Sequence, residues 1–141
     1  MDHVAVALVF RWLGMVVAIS FIEAPLKFRA PGVTIRLGLG IGRIVFRALN
    51  AVETVLAADV LVTVLFGHPT VPALTLTGAA VAVLVLQLGV IRPWLSRRTD
   101  RVLAAPDGQD PPRSRAHLAY VAAESVKVLV LLALGVLLSM V

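Results

Sequence analysis

The segment Ala116–Val141 reads AHLAYVAAESVKVLVLLALGVLLSMV, and it decides the class of this protein. It is long enough to cross roughly 30 Å of hydrocarbon at about 1.5 Å per residue. Yet it carries His117, Tyr120, Glu124 and Lys127. At roughly 100° per residue these four side chains fall within an arc of about 80° on one side of a helix. Placing an acid and a base in hydrocarbon costs roughly 2.5–3.5 kcal/mol each, so both require a partner or a cavity. The segment is therefore a membrane-spanning helix with a polar seam.

The same character extends along the whole chain. Its 141 residues are 60% hydrophobic and 15% charged, with a mean hydropathy of +0.97. Soluble domains are nearer 45–50% apolar and about 25% charged. Four apolar stretches account for the excess: 4–22, 44–66, 71–91 and 116–140. Backbone groups in lipid must bond within their own segment, so these stretches are helices. The sequence predicts an all-α, polytopic membrane protein, one domain over 1–141 built as a bundle of four transmembrane helices. The first stretch lacks the basic start of a signal peptide, because Asp2 and His3 precede it. Glu23-Ala24-Pro25 is also a poor cleavage site, so this helix is expected to be retained.

The net charge is +5, and its distribution is informative. Of the thirteen Lys and Arg residues, all but Arg11 and Lys127 lie in or beside the loops 23–43 and 92–115. Those loops join the first helix to the second and the third to the fourth, so they share one side of the bilayer. The positive-inside rule makes that side cytoplasmic and places both termini outside. A basic rim beside anionic headgroups accounts for the charge without nucleic acid. The Ala/Val/Arg-rich, Lys-poor composition suggests a high-GC bacterium, so the expected location of the four spans is a bacterial cytoplasmic (inner) membrane. There is no cysteine, which excludes a disulfide, a thiolate ligand or a redox dithiol.

Pro31-Gly32 punctuates the first loop, and residues 34–66 then stay mostly apolar, too long for one untilted span. Gly38, Gly40 and Gly42 interrupt this run, which predicts a short interfacial or re-entrant segment before the second helix. The alternate glycines suit either an anion-binding nest flanked by Arg36 and Arg43 or close helix packing. Gly67-His68-Pro69 is a tight turn that makes the second and third helices antiparallel neighbours. Residues 99–115, with Pro106-Asp107-Gly108 and Pro111-Pro112, read as a polar loop.

Rise per residue places the buried charges in depth. Glu53 and Glu124 lie about eight or nine residues into helices entering from the same side, roughly 12–14 Å deep. Lys127 is one turn further, and Arg11 on the oppositely running first helix reaches a similar level. Arg11, Glu53, Glu124 and Lys127 are thus expected in one slab near the midplane, where two acids and two bases cancel. Towards the cytoplasm follow Arg47 and Asn50 on the second helix, Gln87 on the third, and His117 and Tyr120 on the fourth. Together they outline a polar cone open to the cytoplasm.

The runs Glu23-Ala24-Pro25-Leu26-Lys27-Phe28, Arg47-Ala48-Leu49-Asn50-Ala51-Val52-Glu53 and Arg115-Ala116-His117 ahead of Tyr120 and Glu124 carry a resemblance. The chain resembles small bacterial four-helix integral membrane proteins, in which an Ala-Pro follows the first helix and a His opens the fourth. The resemblance spans most of the chain, rests on short motifs and implies no particular activity.

Three function classes fit these residues. The seam can bind or transport a small polar or anionic solute or a lipid-like ligand, with Glu53 or Glu124 taking up a proton. Four short helices enclose little volume, so this reading expects a homo-oligomer. The seam can instead be filled by another protein's helix, as in an accessory or assembly subunit of a membrane complex. Or it can hold a quinone or lipid headgroup in a membrane enzyme, with His117 or Tyr120 handling protons. No metal-ligand pair occurs at helical spacing, so no metal site is predicted. His3 and His68 share the outer side and are the residues a haem would use. The cofactor stays unassigned.

Overall fold

Pro25 and Pro93 shape two of the four long helices. A proline inside a helix lacks an N–H and crowds the carbonyl four residues back, here Phe21 or Gly89. The computed structural model, which describes residues 2–106 and 115–141, shows the response. Helix α1 (Asp2–Val16) widens into a π-helical segment, Val17–Glu23, before the short α2 (Ala24–Lys27). Helix α4 (Val71–Leu86) widens likewise over Gln87–Ile91 before α5 (Arg92–Ala104). In each case the residue just ahead of the proline bonds five residues back: Ala24 N–H donates to the Ile19 carbonyl, and Arg92 N–H to the Gln87 carbonyl. The extra residue in the turn lets the helix continue through the proline.

With α3 (Ile35–Phe66) and α6 (Arg115–Ser139), the described residues are helical apart from turns and short connections. Four continuous helical runs, His3–Lys27, Ile35–Phe66, Val71–Ala104 and Arg115–Ser139, are long and apolar enough to cross a membrane. Each packs against its neighbours in sequence, and the first closes on the last, giving a four-helix ring. One half of its interior is apolar, with Val9, Val16, Val60, Leu131 and Leu134 fully buried. The exterior is also apolar: Phe66, Ile44 and Leu129 are 73%, 72% and 65% exposed. Monomeric soluble proteins rarely carry contiguous apolar surface on that scale.

Two expectations are corrected. No interfacial or re-entrant segment precedes the second helix, because α3 runs unbroken from Ile35. Thr34 caps it, its hydroxyl accepting from Leu37 N–H at 3.1 Å. Gly38 and Gly42, four residues apart, are buried on the face that meets Phe28 and Lys27. A Cβ on Gly42 would stand 3.1 Å from the Lys27 ammonium. Gly38 and Gly42 therefore serve close packing, Gly40 faces open space, and regular helix over all three forms no nest. The loop expected at 92–115 is helical as far as Ala104; Asp107-Gly108 and Pro111-Pro112 lie outside the described residues.

Arginines hold α5 against the start of α3. The Arg43 guanidinium donates to Asp100 at 2.6 Å and to the Ser96 carbonyl at 3.2 Å. Arg36 donates to the carbonyls of Ala105 and Leu103, which end α5. At 32 residues α3 is ~48 Å long, well beyond the hydrocarbon thickness. Its first turns, held to α5 by Arg36 and Arg43, thus extend the bundle beyond that thickness.

Candidate functional site

Lys127 is fully buried, and an ammonium in that position needs an acceptor for each of its three N–H groups. It finds them on three side chains from three helices: Glu53 Oε1 at 2.5 Å, Glu124 Oε1 at 2.7 Å and Gln87 Oε1 at 2.7 Å. The Gln87 amide closes the ring by donating to Glu124 Oε1 at 2.6 Å. The first helix supplies two more donors. Trp12 Nε1 donates to Glu53 Oε1 at 2.8 Å, and Ser20 Oγ to Glu124 Oε2 at 2.6 Å. All four long helices meet in this network, and five of its six side chains are buried.

The π-helical segments position two of the members. Ser20 lies inside the first, and Gln87 opens the second. Widened turns shift the phase of the residues they contain, so a regular helical wheel misplaces both. Glu124 and Lys127 share a face through ordinary i,i+3 spacing.

Glu53, Glu124 and Lys127 therefore come together, as their sequence positions suggest, and Gln87 joins them directly. Arg11 does not: it is exposed on the outer surface of the bundle. The neighbouring Trp12 takes the inward position, because the apolar positions Ala5, Val9, Trp12 and Val16 define the buried stripe of α1. The cluster thus holds two acids and one base, where two and two were expected. His117 is also exposed and is not among the six side chains of this network. Tyr120 is buried with its ring edge-on to Phe46, centroids 5.1 Å apart.

Asn50 is 4% exposed and one turn before Glu53 on the same face of α3. Among the described residues neither atom of its amide has a hydrogen-bond partner, and the same holds for Glu53 Oε2. Asn50 also lines a groove of about 370 Å³ between α3 and the α4–α5 run. Arg47, Thr54, Leu88, Arg92 and Ser96 are among its other walls. Arg92 is half-buried and is repelled by the like charges of Arg43 and Arg47. Arg43 has Asp100, whereas among the described residues no carboxylate pairs with Arg47 or Arg92. Two unneutralised guanidiniums in one groove, above a buried unsatisfied amide, make a site for an anion.

Trp12, Ser20 and Arg92 were not among the sequence candidates. Trp12 was legible, since an indole N–H deep in an apolar helix requires an acceptor. Ser20 and Arg92 depend on the π segments and on the continuation of α4 into α5, and no simple periodicity signals them. No family model, curated protein or solved structure matches the chain.

Proposed function

We propose that this is a four-span protein of a bacterial cytoplasmic membrane that binds a phosphate-bearing anionic amphiphile, its headgroup between Arg47 and Arg92. The observation that carries this reading is the open groove with two unpaired guanidiniums. Its volume lies in the range of small-ligand sites, which runs from about 300 to 1,000 Å³. Planar guanidiniums match phosphate oxygens in pairs. Leu88, Ala51 and Pro93 on the same walls suit the first carbons of an acyl or isoprenoid chain. The groove opens on the apolar exterior, so a lipid enters sideways. The other half of the bundle is filled by Val9, Val60, Leu131 and Leu134, which favours lateral binding over passage through a single bundle.

The proposal is tested by the lipids that stay with the purified protein. Native mass spectrometry from nanodiscs should show phosphatidylglycerol retained in preference to phosphatidylcholine. Arg47→Gln with Arg92→Gln should remove that preference. A hydrogen bond to a charged group contributes about 1.5–3 kcal/mol, so the double variant should weaken retention by at least about 100-fold. Equal retention of both lipids, or a preference that survives the double variant, sinks the reading. Inorganic phosphate in place of lipid distinguishes a soluble anion from a headgroup.

Orientation is the second element of the proposal. The basic residues beside the groove support a location at the cytoplasmic leaflet, with Asp2 and Val141 outside. A periplasmic reporter enzyme fused after Val141 should be active, and a cytoplasmic fluorophore there should stay dark. The opposite pattern places the arginines at the outer face.

A further inference from the structure

The buried cluster has one base for two acids, and its hydrogen bonds are unevenly shared. The three donors of Lys127 are all used. Both oxygens of Glu124 accept, Oε1 from Lys127 and Gln87, and Oε2 from Ser20. Among the described residues Glu53 accepts only through Oε1, from Lys127 and Trp12, while its Oε2 is buried with no partner. If both carboxyls were ionised, a net negative charge would sit at positions that are 0% and 1% exposed, with one of its oxygens bare. A proton on Glu53 Oε2 removes that charge and leaves every donor–acceptor pair intact. It also turns the bare oxygen into a donor, and Asn50, one turn away, offers an unused amide oxygen.

We propose that Glu53 carries a proton on Oε2 and exchanges it through Asn50 with the groove, linking the charge of the buried cluster to occupancy of the Arg47–Arg92 site. The groups around Glu53 come from every helix. Trp12 and Ser20 belong to the first, Gln87 and Arg92 to the third, and Tyr120, Glu124 and Lys127 to the fourth. Of the two buried carboxyls only Glu53 has an open oxygen, and it lies one turn from Asn50, which lines the groove. On deprotonation the Oε2–H bond breaks, the electron pair stays on the carboxylate and the proton passes to solvent in the groove. A negative Glu53 and an anion between the arginines repel each other, so the anion binds with Glu53 protonated and is released as the proton leaves. This linkage rests on the anion reading given above; the proton on Glu53 does not.

Infrared spectroscopy of the reconstituted protein at neutral pH reads the proton directly. The wild type should show a carboxylic acid C=O band, because exposed acids are ionised at that pH. Glu53→Gln should lose the band and Glu53→Asp should shift it, the second variant guarding against a folding defect in the first. Asn50→Leu should keep the band at a changed frequency, with slower deuterium exchange. The absence of a band in the wild type, or its persistence in Glu53→Gln, overturns the assignment. Unchanged exchange in Asn50→Leu overturns the route.

Retention of phosphatidylglycerol should then rise as pH falls, by up to about tenfold per unit for one linked proton. It should become independent of pH in Glu53→Gln. If the lipid is held equally at every pH in the wild type, the linkage is wrong. If the infrared band is present but no anion is held at any pH, the groove reading fails and the proton site stands.

Discussion

Lys127→Met is expected to destabilise the bundle by on the order of 3–5 kcal/mol, the usual cost of breaking a buried ion pair from one side. Methionine fills much of the same volume, so the loss is electrostatic. Glu124 keeps Gln87 and Ser20 as donors but loses the one cation that pairs with it among the described residues. Against a total of about 5–15 kcal/mol for an ordinary domain, that is a large fraction. Thermal unfolding in mild detergent should show a clear drop in Tm. Adding Glu124→Gln to Lys127→Met should recover most of it, since replacing both partners of a buried pair is often close to neutral. Arg11→Met is the matched control, a charge removed from an exposed position, with an expected change within about 0.5 kcal/mol. A small effect at Lys127, or none restored by Glu124→Gln, would mean that water reaches the cluster.

Trp12→Ala is expected to cost about 3–5 kcal/mol, as for other fully buried aromatic side chains cut back to alanine. Two contributions add here: the cavity left in the core, and the loss of the indole N–H from Glu53 Oε1. Trp12→Phe separates them. It retains most of the packing and removes the donor, and should cost about 1–3 kcal/mol, the penalty of losing a hydrogen bond to a buried group. Trp94, 45% exposed, provides the comparison: Trp94→Ala should stay within about 0.5 kcal/mol. Denaturation followed in detergent ranks the three variants. A ranking with Trp94 at or above Trp12 would show that the first helix does not turn Trp12 inward.

The positions of the long helices were legible because hydrocarbon imposes length and apolarity on any segment that spans it: residues 4–22, 44–66 and 71–91 each lie inside an observed helix, and 116–140 overruns one by a single residue, Met140. Glu53, Glu124 and Lys127 were legible for a related reason. A charge in an otherwise apolar helix stands out, and its cost drives it towards other charges. Where a helix went on into polar sequence, the hydropathy pattern stopped being informative. Residues 92–104 are helical because α5 is held by Arg36 and Arg43 from a distant part of the chain.

Composition and periodicity alone determined four apolar helices, a basic end of the bundle and a buried acid–base cluster, because these follow from local hydrophobicity and helical spacing. Only the tertiary structure decided that Trp12 rather than Arg11 faces inward, since rotation of a helix about its axis is set by the neighbours it packs against. The π-helical turns ahead of Pro25 and Pro93 likewise brought Ser20 and Gln87 to Glu124 and Lys127, a phase change invisible to a regular wheel. The one-base, two-acid balance of the cluster and the pairing of Arg47 with Arg92 across a groove are consequences of those contacts.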